Sequence, residues 1–139
     1  MRAVVQRVDG ASVAVEGETV GEIVGEGLCV LVGVTHDDTP ERLAAWRRSC
    51  GRCGSWREKS CSDIGAPLLV ISQFTLYGDA RRAAAHVERG GARRGRRTLV
   101  AEVVARLRAL GAHVETGRFG ARMRVGLTND GPFTVLIEV

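Results

Sequence analysis

An uninterrupted apolar run, GLCVLVGV at residues 27–34, is the feature that most constrains how this chain can fold. A strand with one face in water alternates apolar and polar residues, whereas this run has no charged or amide side chain and is bounded by glycines. The run therefore predicts a strand that is covered on both of its faces. A second run, PLLVISQFTL at residues 67–76, predicts the next strand.

The two ends of the chain predict further strands. RAVVQRV at the N-terminus suits a first strand, and SVAVEGETVGEI alternates apolar and polar residues on either side of Glu16-Gly17-Glu18. That alternation predicts a hairpin with a glycine-containing turn. Near the C-terminus, RMRVGL and FTVLIEV predict two closing strands around Asn129-Asp130-Gly131-Pro132.

Two helices are predicted between these strands. Thr39-Pro40-Glu41 supplies an N-cap, a proline at the first helical position and an acid in the first turn, so a helix is expected to begin there. TLVAEVVARLRALG, residues 98–111, ends on a glycine that suits a helix C-cap. Its apolar residues at helical spacing are Leu99, Val103, Leu107 and Leu110. The order of elements predicts an α+β domain, a largely antiparallel β-sheet or barrel with two helices packed outside.

Length and composition predict a single domain over residues 1–139. A chain of 139 residues with 45% apolar composition can bury a core without disulfides. Because the N-terminal segment lacks the apolar stretch of a secretion signal and no segment approaches the roughly 20 residues of a membrane span, we expect a cytoplasmic protein without membrane contact. The four cysteines are then expected to be thiols.

Two windows, residues 46–57 and 83–98, break this pattern. Neither has a helical or strand period, and together they hold nine Arg and one Glu. Plausible codons for residues 46–57 and 86–98, read out of frame, give helix-, turn- and strand-forming sequence, so we hypothesise that both windows are out-of-frame readings; the alternative is a pair of solvated basic loops. Since the windows carry more positive charge than the net +4 of the chain, that charge is no argument for phosphate binding.

Two short segments contain the residues suited to chemistry. SQFTLYGD, residues 72–79, places Ser72, Gln73 and Thr75 where a buried strand would prefer valine or isoleucine. On a strand, Gln73 and Thr75 would share one face. NDGPFTVLIE, residues 129–138, contains a Gly-Pro step, which alone is an ordinary turn signal.

Taken together and in order, these segments resemble the D-aminoacyl-tRNA deacylases. MRAVVQRV, GLCVLVGVTHDDT, SQFTLYGD, TGRFGARMRV and NDGPFTVLIE are similar to that family's segments in the same order, and the similarity covers nearly everything except the two windows. The shifted reading of the second window also resembles the family's continuation after the Ser-Gln motif. The resemblance implies hydrolysis of the ester that joins a D-amino acid, or glycine mischarged on tRNA(Ala), to the terminal ribose of tRNA, as chiral proofreading in translation.

The resemblance also implies the site and the assembly. Gly131-Pro132 would be a Gly-cis-Pro element that a homodimer partner inserts into the pocket, where its carbonyls reject an L side chain. Ser72, Gln73, Phe74 and Thr75 would form the catalytic wall that holds the aminoacyl carbonyl and the terminal adenosine of the tRNA. Substrate-binding residues would be Gly131, Pro132, Arg7, Phe119 and Met123. No cofactor and no metal are predicted.

Several alternatives stay open at this stage. Thr75 is expected to position the substrate while a ribose hydroxyl activates water, but it would also suit a nucleophile. His36 would suit a catalytic base, and Cys50 and Cys53 with Cys61 would suit zinc, although a strong zinc site has two such pairs. An Arg-rich RNA-binding module and a catalytically damaged paralogue are the rival functions.

Overall fold

The structure, a computed structural model, describes residues 1–35, 37–39, 59–79, 86–87 and 93–139. Its strands are β1 (Arg2–Val15), β2 (Glu18–Gly33), β3 (Leu68–Ser72), β4 (Gly78–Asp79), β5 (His86–Val87), β6 (Val114–Thr116) and β7 (Met123–Glu138). Its helices are α1 (Cys61–Ile64), α2 (Arg93–Ala109) and a 3-10 helix at Phe74–Tyr77.

The main sheet has five strands in the order β6-β3-β2-β1-β7. Its two long pairings, β1 with β2 and β1 with β7, are antiparallel, while β3 joins β2 and β6 joins β3 in parallel. β4 and β5 form a separate antiparallel pair. The predicted α+β class with a largely antiparallel sheet is confirmed.

The predicted hairpin is present, but its strands are longer than expected. β1 takes in both RAVVQRV and the first arm of the hairpin, and β2 takes in the second arm and the apolar run. The turn is Glu16-Gly17, whose φ angles of 54° and 87° are the positive values that a tight hairpin turn requires. Gly10, with φ 88°, lies at a register shift in β1, where the strand bulges.

The core lies on both faces of the sheet, as the apolar run predicts. Leu28, Val30 and Val32 of β2 join one cluster, while Cys29 joins the other. The first cluster is covered by α2 through Val103, Val104 and Leu107. The second contains Val8, Ala11, Val13, Ile23, Cys29, Leu69 and Ile71.

Helix α2 begins earlier than predicted, and Gly111 caps its C-terminal end as predicted. It begins at Arg93, inside the second window, and ends at Ala109. Gly111, with φ 86°, donates its backbone N–H to Arg108 O at 2.9 Å, so this glycine closes the helix. Leu110, the last of the four apolar residues at helical spacing, lies beyond the end of α2 and is 62% exposed.

The strand predictions need two corrections near the candidate site. β3 ends at Ser72 instead of running on to residue 76, because the chain then turns into the 3-10 helix. The two closing strands are one element, β7, with Gly131-Pro132 inside it, because both halves pair with β1. The first predicted helix, from residue 40 onward, lies outside the described residues, as does the window at residues 46–57.

Burial gives the Cys29 thiol a stability effect at alkaline pH. Desolvation raises the pKa of Cys29 from 9.0 to about 11. The folded state therefore holds this proton more tightly than the unfolded state does, so the stabilisation is complete below pH 9 and is lost as pH rises toward 11.

We expect Cys29→Ala to remove this pH dependence. Between about pH 8 and pH 10.5, the free energy of unfolding of the wild type should fall by about 2 kcal/mol more than that of the variant. Urea unfolding under reducing conditions measures both. Comparing the two proteins removes the contribution of every other group that titrates in this range. If the free energy of unfolding depends on pH equally in both, the prediction is contradicted.

Candidate active site

The most irregular part of the sheet is the middle of β7. Gln6 of β1 pairs with Thr134 and Val8 pairs with Asn129, so Arg7 alone stands opposite the four residues 130–133. The surplus residues form a bulge on the edge strand, which we call the β7 bulge (residues 130–133). Gly131 and Pro132, joined by a cis peptide bond, are exposed within it.

The Arg7 side chain contacts the first and last residues of the β7 bulge, Asp130 and Phe133. Its Nε lies 2.8 Å from Asp130 Oδ2 and donates to Asp130 O at 3.1 Å. Its Cζ lies 5.5 Å from the centroid of the Phe133 ring. The guanidinium is thus fixed by a carboxylate, a carbonyl and an aromatic face, which a flexible ammonium would match poorly.

Asn129, the residue before the bulge, packs against Gly131 within it. Asn129 Nδ2 donates to Arg7 O at 2.9 Å and to Phe133 O at 3.2 Å. A Cβ on Gly131 would overlap Asn129 Oδ1 and approach Phe133 N to 3.4 Å. The Asn129 side chain therefore occupies the space that a Cβ at residue 131 would need, and a larger residue there would displace it.

The Ser-Gln segment forms a second, separate arrangement at the end of β3. Gln73 N donates to Val32 O at 2.7 Å, and Leu76 N donates to Gln73 O at 3.3 Å. Gln73 Nε2 donates a hydrogen bond to Thr75 Oγ1. Gly33 makes room for this turn, because a Cβ there would lie 3.0 Å from Gln73 O and 3.1 Å from Leu76 Cβ.

This geometry changes the expected arrangement of the four wall residues. Ser72 ends β3, while Phe74 and Thr75 lie in the 3-10 helix, so Gln73 and Thr75 do not share a strand face. They meet instead through the hydrogen bond between their side chains. Phe74 is 56% exposed, which is unusual for a large aromatic side chain without a partner surface.

Arg2 is a supporting residue that the sequence analysis missed. It donates from Nη1 to Leu76 O at 3.1 Å, its Cζ lies 4.9 Å from the Tyr77 ring centroid, and its Nε lies 2.6 Å from Glu138 Oε1. It thereby ties the 3-10 helix to β7. An arginine at the start of a strand gives no sequence signal for this role, because its partners come from distant segments.

Phe119 and Met123 lie away from the β7 bulge. Phe119 is half-buried in the bend between β6 and β7. Met123 packs against the second core cluster, and a Cβ on Gly117 would meet both the Met123 sulfur and, at 3.2 Å, Ile71 Cδ1. Met123 thus neighbours the residue just before Ser72.

Within one chain, the sheet keeps the two motifs apart. β3 and β7 are separated by β2 and β1 in the sheet order. Ser72 lies in the row of Val32, Ala3 and Ile137, whereas the β7 bulge lies four residues along β1 at Arg7, roughly 13 Å away along the strands.

The other candidates gain no support as sites. His36, Cys50 and Cys53 lie outside the described residues. Cys61 is buried and its Sγ lies 3.6 Å from Ala66 O. Among the residues that the structure describes, no helix has both the length and the apolar character needed to cross a bilayer.

The fold and these two motifs agree with the class that the sequence resembles, the D-aminoacyl-tRNA deacylases. A family described as D-Tyr-tRNA(Tyr) deacylase matches residues 4–138. Relatives named D-aminoacyl-tRNA deacylase include those of Streptomyces coelicolor, 67% identical over the full length of both chains, and of Thermobifida fusca, 59% identical over the full length of both. The chain belongs to the D-Tyr-tRNA(Tyr) deacylase family, which confirms the predicted family and enzyme class.

Solved structures support the same fold. A structure titled "c-Myc DNA Unwinding Element Binding Protein" superposes with a TM-score of 0.89 at 32% identity, covering 100% of this chain and 99% of that one. A second, titled as a probable eukaryotic D-amino acid tRNA deacylase, has a TM-score of 0.77 at 17% identity, covering 99% and 98%, and shows the fold alone.

The half-buried contact between Arg7 and Asp130 leads to a stability prediction. Because lysine cannot reach a carboxylate and a carbonyl with one planar group, Arg7→Lys should lower the free energy of unfolding by about 1 kcal/mol. Urea unfolding at fixed protein concentration measures this, with Arg122→Lys as the exposed control. If Arg7→Lys is no less stable than the control, the anchoring contact is contradicted.

Proposed function

We propose that the protein hydrolyses the ester bond between a D-amino acid and the 3′-terminal ribose of tRNA. The single observation that carries this proposal is the β7 bulge: Gly131 and Pro132 are exposed, yet the residues around them are fixed by Arg7 and Asn129. An exposed main-chain segment with fixed neighbours suits recognition by backbone better than recognition by side chain.

Selection by backbone explains why the substrate is defined by chirality. The carbonyl oxygens of Gly131 and Pro132 would face the α-carbon of the bound amino acid, so an L side chain would collide with them and a D side chain would point away. The identity of the side chain would then matter little. Glycine has no side chain to reject, so glycyl-tRNA(Ala) would also be a substrate.

The Ser-Gln segment would form the opposite wall. The exposed Phe74 ring suits stacking against the terminal adenosine. Gln73 donates a hydrogen bond to Thr75 Oγ1, and an amide N–H cannot take the hydroxyl proton, so this pair favours Thr75 as a positioning residue over a nucleophile. Main-chain N–H groups here would stabilise the oxyanion, and the substrate's ribose hydroxyl would activate water.

We further propose a homodimer in which each subunit supplies its β7 bulge to the other's Ser-Gln wall. The separation of the motifs within one chain supports this arrangement. So does β7 itself, an edge strand with the exposed apolar residues Val125, Leu127 and Leu136 at 37%, 37% and 61%. A long edge strand with such residues invites coverage by a second chain.

The remaining features of the proposal follow from the family. A family match over residues 4–138 supports the proposal of one domain over residues 1–139. We propose that this domain acts in the cytoplasm on tRNA without a cofactor. The out-of-frame hypothesis for residues 46–57 and 83–98 stays a prediction for the nucleotide sequence to test. If those windows impair activity, expression beside a frame-corrected chain would reveal a damaged paralogue.

The central test is selective release of amino acids from charged tRNA. We expect D-tyrosyl-tRNA and glycyl-tRNA(Ala) to be deacylated, and L-tyrosyl-tRNA to be spared, because only an L side chain meets the carbonyls of the bulge. Single-turnover assays over matched enzyme concentrations measure this. Equal cleavage of both tyrosyl enantiomers, or RNA binding without any cleavage, would refute the proposal, and the latter would favour the RNA-binding module.

The shared site predicts complementation between two inactive variants. Gly131→Ala disables the bulge and Gln73→Ala disables the wall, but a mixed dimer would still hold one site built from two intact parts. Random re-association of equal amounts should therefore restore about a quarter of the wild-type rate toward D-tyrosyl-tRNA.

Each variant re-associated with itself is the control and should stay inactive. If the motifs met within one chain, every site in the mixed dimer would contain one defect, and no activity would return. Failure to restore activity in a mixture whose dimers have demonstrably exchanged would thus refute the shared site and leave the chemistry of the deacylase proposal untouched.

A further inference from the structure

We propose that Asn129 is a positioning residue for chiral selection, acting through the backbone of the β7 bulge. The inference rests on the proposed function, because it assigns a cause to the fixed position of the rejecting carbonyls. Asn129 contacts no substrate in this scheme. Its side-chain amide holds the two ends of the bulge to each other and to β1.

The pairing of β1 with β7 shows why such a residue is needed. The register of β1 with β7 goes directly from the pair Val8–Asn129 to the pair Gln6–Thr134, so it passes over Arg7. The carbonyl of Arg7 takes its hydrogen bond from Asn129 Nδ2 instead, at 2.9 Å. The side-chain amide thus supplies the donor that a regular antiparallel strand would have supplied from its backbone.

The second hydrogen of the same amide closes the bulge. Asn129 Nδ2 also donates to Phe133 O at 3.2 Å, so one group joins the residue before the bulge to its last residue. A carboxylate of the same shape has no N–H and could make neither bond. Both acceptors are main-chain oxygens, so the amide acts on the backbone of the bulge directly.

The absence of a side chain at Gly131 leaves room for the Asn129 side chain. Any Cβ at residue 131 would overlap Asn129 Oδ1, so the two positions are packed as a pair. Arg7 acts on the other side, through Asp130. The side chains of Arg7 and Asn129 therefore restrain the bulge from different directions, and neither duplicates the other.

The two hydrogen bonds of Asn129 would become stronger in the assembled site. The side chain is exposed in a single chain, where water competes for its two hydrogen bonds. If the bulge enters a partner's pocket, water is excluded and these bonds strengthen. Loss of the amide would then let the carbonyls retreat from an L side chain, while a D side chain, which points away, would be affected little.

The test is the ratio of D-tyrosyl-tRNA to L-tyrosyl-tRNA deacylation in Asn129→Asp, which keeps the shape and removes both donors. We expect the ratio of the two kcat/KM values to fall by at least about tenfold, mainly through faster cleavage of the L substrate. Thr128→Ala, the neighbouring position on β7, is the matched control and should keep the wild-type ratio. A purely structural role would lower both rates together and leave the ratio unchanged.

If folded Asn129→Asp keeps the wild-type ratio of D to L deacylation, the inference is overturned and the proposed function still stands. If the wild type itself does not discriminate between the two substrates, the proposed function is refuted. A second measurement covers a variant that folds poorly. The loss of Tm caused by Gly131→Ala should be smaller in an Asn129→Ala background, because the overlap with Oδ1 is gone. Additive losses would contradict the packed pair and overturn the inference.

Discussion

The unequal pairing of β1 with β7 is the constraint on which the rest of the site depends. Both halves of β7 are in register with β1, yet four residues face Arg7 where a regular ladder would have one. The surplus chain has to leave the sheet, and it does so at a glycine and a proline. The difference in residue number between the two strands therefore exposes the main chain of Gly131 and Pro132, while β7 stays paired with β1 on either side.

The same sheet explains why the proposed site is divided between two subunits. Each motif is anchored to β1, the bulge through Arg7 and the 3-10 helix through Arg2. These anchors lie at different points along the strand, and the motifs approach it from opposite sides in the sheet order. A rigid sheet cannot fold its own edge back onto the end of β3, so a second copy is the simplest way to unite them.

The sequence predicted the core better than the irregular segments. The apolar run at residues 27–34 indicated a strand covered on both faces because burial follows directly from side-chain chemistry. The end of β3 and the continuity of β7 were wrong in the sequence analysis. Gly33 permits the turn after Ser72, and pairing with β1 keeps residues 123–138 in one strand. Both effects come from distant backbone, which local patterns do not record.

The family motifs could nevertheless be recognised in the sequence, but only some of the residues that hold them in place could be predicted. Arg7 was named through resemblance, but Asn129 and Arg2 became apparent only when their main-chain acceptors were located. If carbonyl oxygens perform the proposed selection, the bulge itself needs little more than glycine at residue 131. The exact position of the carbonyl oxygens then depends on flanking side chains that do not touch the substrate. Substitutions that alter selection between D and L substrates are therefore expected around the bulge as well as in it.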